Sequence, residues 1–255
     1  MDFIKYSDIG FEAFQFTDKK PEVIARKKDI IDSVFAHYGV RPVSYLCVGF
    51  NPAMLAWTGQ DVTVTKVSEQ CLAQLQVLMP NIKHVPWEHL ITDGDRFDVV
   101  VAMDEFLAFA DSEDSQHRTL DQICGMTRQL AITTLKDYKN QGFKDREFSI
   151  PSVIRNEEST RIYVEYNDYE LHDRNAWIRD VYQIENGACT AYQGFQCRQM
   201  FFKQCAKFSI DAGAKEFLVH KNIMYKSLIK KNYEHVISIK FGSNGHNNTP
   251  RYHSQ

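Results

Sequence analysis

The feature that most constrains this chain is the alternation between Val43 and Tyr138, where short β-branched or aliphatic runs are separated by stretches with helical spacing. Runs at 43–48, 61–67, 82–85, 97–103 and 130–135 read as strands, and 53–57, 68–79 and 115–128 read as the helices between them. Strands separated by helices pair in parallel and are covered on both faces, which is why the run at 97–103 is apolar along its length instead of alternating. Ligands of such sheets sit in the crevice beyond the carboxyl ends of the strands. The first strand ends in Gly49-Phe50-Asn51-Pro52. A glycine at that turn lets a ligand approach the backbone closely. The expected fold is α/β, a doubly wound, mainly parallel seven-stranded sheet.

The flanks extend this layout. Pro21 suits the first turn of a helix over 21–37. Residues 140–159 are polar and read as loop. Residues 161–166 and 177–192 alternate, with Asn186-Gly187 as a two-residue hairpin signal. The region 160–195 is therefore expected to form an antiparallel flap over the carboxyl edge. A helix over 196–212 and strands at 216–220 and 235–241 complete a single domain of residues 1–241, and 242–255 read as a flexible tail.

Charge and cysteine content exclude several classes. A formal net charge of −3 gives no global attraction to phosphate backbones, so nucleic acid is an unlikely partner and a small molecule the expected one. No run of about 18 apolar residues occurs, and the start Met1-Asp2-Phe3-Ile4-Lys5 lacks a signal-peptide pattern, so no membrane association and a cytoplasmic location are expected. The six cysteines show no C-x-x-C pair, and they read as reduced thiols, mostly in the core; no metal site is expected. Cys47, in the middle of an apolar strand, belongs to that core set.

The segment from Val43 to Tyr138, with its leading helix and two closing strands, resembles the core of the class I, Rossmann-like S-adenosylmethionine-dependent methyltransferases. That family's first motif, aspartate-x-Gly-x-Gly-x-Gly, falls here on Cys47, Gly49, Asn51 and Ala53, and only Gly49 matches. Where the family places an acid for the ribose hydroxyls, this chain has Lys66; Glu69, one turn further, could reach back instead. The resemblance implies S-adenosylmethionine as cofactor, held by Gly49, Phe50, Asn51 and Glu69, with Glu88 at the adenine amino group, Trp87 against the ring and Met103 at the crevice edge.

Transfer from a sulfonium needs an enclosed cleft and a group that removes the acceptor's proton. His172, in the aromatic stretch after Tyr163, and Asp104, after the fourth strand, are the candidates. The bland alternatives are a turn glycine at Gly49, a solvated strand-end charge at Lys66 and packing aromatics at Trp87, Tyr163 and Trp177. An Asn-Pro-Pro-aromatic motif is absent after the fourth strand, where Ala102-Met103-Asp104-Glu105 stands, so DNA base methylation is not expected. A ribose 2′-hydroxyl methyltransferase could be sketched from Lys27 or Lys28, Asp104, Lys136 and a later glutamate, and a nicotinamide enzyme from Lys66. The rival from another class is a methyltransferase-like fold without catalysis that acts as a binding or structural protein.

Overall fold

The computed structural model describes residues 2–136, 146–149, 151–169, 175–220, 234–242 and 251–254. Two helices, α1 (Asp2–Phe16) and α2 (Lys20–Tyr38), precede β1 (Ser44–Val48) and β2 (Asp61–Thr65). Then come α3 (Glu69–Leu78), β3 (Lys83–His84), α4 (Trp87–Asp93), β4 (Phe97–Ala102), α5 (Glu113–Gly125) and β5 (Thr127–Lys136). Five strands follow: β6 (Arg146–Phe148), β7 (Ser152–Arg155), β8 (Thr160–Asp168), β9 (Ala176–Glu185) and β10 (Ala188–Arg198). The chain closes with α6 (Phe202–Asp211), β11 (Glu216–His220), β12 (Glu234–Lys240) and β13 (Arg251–Ser254).

The main sheet runs β13-β11-β12-β5-β4-β1-β2-β3, with β1 to β5 parallel and β12 antiparallel to both its neighbours. It has eight strands where seven were expected. The addition is Arg251–Ser254, assigned from sequence to the flexible tail, which pairs in parallel with β11. An edge strand presents a row of unpaired N–H and C=O groups, and β13 satisfies those of β11.

Strand pleating divides the core. Tyr45, Cys47, Val62, Val64, Val99 and Val101 pack toward α2 and α3, against Ile31, Val34 and Leu75. Leu46, Val48, Val100 and Ala102 pack on the other face with Leu90, Leu120, Ile123 and Phe208. Every position of β4 is buried. The acid inside that run, Asp98, accepts the amides of Val43 at 3.0 Å and Ser44 at 3.3 Å, which satisfies its buried carboxylate. Burial also raises the Cys47 thiol to about 12, as expected of an inert core thiol.

A second, antiparallel sheet, β10-β9-β8-β6 with β7 also on β8, forms the flap. Its hairpin turns where expected, at Asn186 with φ 50° and Gly187 with φ 81°. Several boundaries differ from the sequence reading: α5 ends at Gly125 and β5 starts at Thr127, where a helix to 128 and a strand from 130 were expected. The polar segment at 140–159 contributes β6 and β7, and the helix expected from 196 starts at Phe202. Gln196–Arg198 stay extended because Cys197 is buried opposite Trp177, and that pairing prolongs the sheet. The larger difference is α1, where no element was expected. It is apolar on two faces because it lies between the sheets: Phe11 and Phe14 join the core of the parallel sheet, and Ile9 and Ala13 join that of the flap.

Candidate functional site

The crevice lies where β1, β2 and β4 end. Gly49 leaves β1 with φ 75°, and Asn51 then starts the short 3-10 turn Pro52–Trp57. The Asn51 side chain accepts the Ala53 amide at 2.9 Å and donates to Met103 Sδ at 3.4 Å. The residue that replaces a motif glycine is thus a helix cap, committed to its own backbone. Phe50 is buried between Phe11 and Phe14, with ring centroids 4.7 and 5.2 Å away.

Helix α1 lies directly on this turn. The Phe50 N–H donates to Ser7 Oγ at 2.7 Å, and the Ser68 N–H, at the start of α3, donates to Asp8 Oδ1 at 3.3 Å. A Cβ added to Gly49 would stand 2.6 Å from the Phe3 ring and 2.9 Å from Ser7 Oγ. Phe3 in turn meets Phe106 and Phe109 edge-on, at 4.6 and 5.3 Å between centroids. The close approach that Gly49 permits is therefore made by the chain itself.

At the end of β2, Lys66 adopts φ 56°. Its ammonium lies 3.5 Å from Glu88 Oε1 and 5.5 Å from the centre of the Trp87 ring, with the side chain 24% exposed. It is a paired cation over an aromatic face, not a solvated strand-end charge. Glu88 is largely exposed; its carboxyl is held below the usual carboxylate range, first by its own N–H at the start of α4 and then, against a small burial cost, by Lys66. Trp87 is buried, packs on Phe106 and donates Nε1 to Gln122 Oε1 at 3.1 Å. Glu69 is exposed at the first residue of α3, behind the Ser68 cap.

Beyond β4 the chemistry changes. Asp104 and Glu105 both take left-handed backbone, at φ 57° and 60°, a rare pair of consecutive non-glycine residues whose strain the surroundings must hold. The buried Lys27 ammonium of α2 lies 3.4 Å from Asp104 Oδ1, and the Asp104 side chain is 31% exposed. Glu105 turns inward to Arg179 Nη1 at 2.6 Å, and Glu165 Oε2 stands 3.7 Å from Arg179 Nε. Asn167 Oδ1 accepts that Nε–H at 3.0 Å, and Tyr6 of α1 donates to Glu165 Oε1 at 3.0 Å. Burial works against the Arg179 charge, but Glu105 and Glu165 outweigh it and hold its pKa well above the usual guanidinium value.

A cavity of about 60 Å³ opens between these groups, lined by Tyr6, Ser7, Lys27, Phe50, Asp104 and Glu165 among others. That is room for a few waters, against about 300 Å³ for the smallest pockets that enclose a ligand. His172 lies outside the described residues. Of the other candidates, the structure brings Gly49, Phe50, Asn51 and Met103 to one turn, Trp87 and Glu88 beside Lys66, and Asp104 to the cavity. Sequence reasoning missed Phe3, Tyr6, Ser7 and Asp8. The recurrence of Phe3, Ser7, Phe11 and Phe14 at helical spacing was the available signal. Among the described residues no cluster of His, Cys, Asp and Glu could hold a metal ion.

A nucleoside cofactor at this edge requires the Gly49 backbone, hydroxyl acceptors at the end of β2 and a slot beyond β3. With α1 in place the residues present do not fit it: Phe3 covers Gly49, Lys66 offers only donors, and the Trp87 indole is turned into the protein.

No family model matches the chain, and no curated protein sequence matches it. Solved structures do. DesVI of Streptomyces venezuelae superposes with a TM-score of 0.65 at 14% identity, over 87% of this chain and 92% of that one. The sugar N-methyltransferase KedS8 of Streptoalloteichus gives 0.65 at 10% identity, covering 88% and 90%. The amino pentose methyltransferase CalS10 of Micromonospora echinaspora, solved with S-adenosylmethionine bound, gives 0.63 at 12% identity over 84% and 89%. The chain has the class I, Rossmann-like methyltransferase fold.

Proposed function

We propose that the chain is a methyltransferase that uses S-adenosylmethionine and transfers its methyl group to a small soluble acceptor when α1 is drawn back from the crevice. The observation that carries this reading is the cavity at Asp104, placed at the carboxyl end of β4 between the parallel sheet and the antiparallel flap. Ligands of open α/β sheets lie outside that edge. The strained backbone at Asp104 and Glu105 supports a site there, because strain of this kind gathers where side chains must be aimed. KedS8 is a sugar N-methyltransferase and CalS10 an amino pentose methyltransferase, which supports a small acceptor.

When bound, the cofactor supplies an electrophilic methyl group on a sulfonium. This chain's own work is to enclose the acceptor and remove its proton. Asp104 lines the cavity, partly open to it, with Lys27 setting the position of Oδ1. It is the proposed base; His172, the first candidate from sequence, lies outside the described residues. General-base removal contributes about 10²–10⁴ in rate, so Asp104→Asn should lower kcat about a hundredfold or more with the cofactor Kd unchanged. The direct test is titration of the unmutated protein with S-adenosylmethionine and S-adenosylhomocysteine. Saturable binding of both supports the reading. No heat at millimolar ligand would instead favour a binding protein on a methyltransferase fold, a second reading motivated by the Phe3 contact on Gly49 and by Lys66 at the ribose position.

A further inference from the structure

Three separate contacts place α1 on the turn after β1 and the start of α3, at the carboxyl edge where ligands of such sheets lie. Phe3 lays its ring on Gly49, Ser7 Oγ accepts the Phe50 amide, and Asp8 accepts the Ser68 amide. An aromatic ring, a hydroxyl and a carboxylate are also the chemical parts of an S-adenosyl amino acid. The ring is seated as a ligand would be, with Phe106 and Phe109 edge-on to it and Trp87 behind Phe106.

The opposite side of α1 belongs to the flap. Tyr6 donates to Glu165, Glu12 pairs with Arg161 at 2.8 Å, and Ile9 and Ala13 pack with Val181 and Phe195. The helix is held on this side by the flap, whose Glu165 and Val181 also line the cavity. On the other side Phe3 sits in the first turn, whose amides have no partners within the helix. That turn is the part of α1 that opens at the lowest cost.

We propose that α1 is an internal occupant of the crevice, with the Phe3 ring standing in for the ligand and Ser7, in the next turn, holding it there, so that cofactor binding and the packing of the first turn of α1 exclude one another. Affinity is then reduced by the small fraction of molecules in which the turn is open, and removing the occupant should restore it. This goes beyond the methyltransferase reading, since an occluded crevice of this kind would also mark a fold that has ceased to bind.

The test is calorimetric titration of the full chain with S-adenosylhomocysteine, comparing the unmutated protein, Phe3→Ala and Ser7→Ala. Circular dichroism establishes that each variant is folded, and Ser7→Ala, the milder change, keeps the test decisive if Phe3→Ala does not fold. The expected result is affinity at least tenfold tighter in Phe3→Ala and tighter by a smaller factor in Ser7→Ala. Equal affinity in all three proteins would overturn the proposal and leave the methyltransferase reading standing. Binding in the variants but not in the unmutated chain supports the proposal and makes the resting protein an occluded one. Absence of binding in every protein would overturn both.

Discussion

The two halves of the carboxyl-edge crevice, on either side of Asn51, are built on opposite chemistry. The half next to Gly49 is aromatic, closed by Phe3, Phe106 and Trp87, with Phe3, Ser7 and Phe50 forming one wall of the cavity. The half beyond β4 is charged and partly hollow, with Lys27, Asp104 and Glu165 facing a cavity and Arg179 buried behind them. One helix makes both, since α1 offers Phe3 and Ser7 to the first and Tyr6 to the second. The contrast teaches that a crevice edge opened by a glycine can be covered by the chain itself, here by Phe3 and Ser7 of a helix distant in sequence.

The largest effect should come from the charged half. Arg179 is fully buried and shared by Glu105 and Glu165. Removing one partner of a buried ionic cluster leaves the others desolvated, at about 3–5 kcal/mol, so Arg179→Met should lower stability by that amount in urea unfolding. A loss below about 1 kcal/mol would show that water reaches this half freely and that the contrast with the packed half is overdrawn.

The next concerns the packed half. Gly49→Ala puts a Cβ on left-handed backbone, at about 1–2 kcal/mol, and drives it into the Phe3 ring, for a total of about 2–3 kcal/mol once overpacking is added. In a Phe3→Ala background the backbone part and the close contact with Ser7 Oγ should remain, and the overpacking against the ring should be lost. Additive losses in the double mutant would break the claim that Phe3 and Gly49 are in contact.

A smaller effect separates the halves by ligand. Lys66 carries three donors and no acceptor, and its partner Glu88 is largely exposed, so little is lost when it is replaced. Lys66→Glu should tighten S-adenosylmethionine about tenfold, or about 1.4 kcal/mol, without altering the behaviour of Asp104 variants. Unchanged affinity would show that the ribose does not lie at the end of β2.

The parallel sheet was legible because its strands are self-declaring. β4 is an apolar run bounded by turns, and the hairpin at Asn186-Gly187 needs a backbone that those residue types supply. The roles of Gly49 and Asp104 as edge residues followed from strand ends alone. What was not legible depends on partners distant in sequence. Helix α1 carries apolar residues on two faces, so no single stripe marks it. Asn51 looked like a lost glycine until the Ala53 amide was seen beside it, and Lys66 looked solvated until Glu88 and Trp87 were placed around it. The sequence places Arg179 in an alternating strand and says nothing of its partners. Only the register of β9 on β8, which sets it opposite Asn167 and next to Glu165, makes it the centre of a network.

The central claim is that the first turn of α1 and a nucleoside cofactor compete for the Gly49 turn. Hydrogen exchange of the peptide spanning residues 2–16, followed by mass spectrometry with and without saturating S-adenosylhomocysteine, addresses it most directly. The account predicts faster exchange at the start of α1 when ligand is bound, while the peptides of β8 and β9 stay protected. Unchanged or slower exchange of α1 in the presence of bound ligand would contradict it.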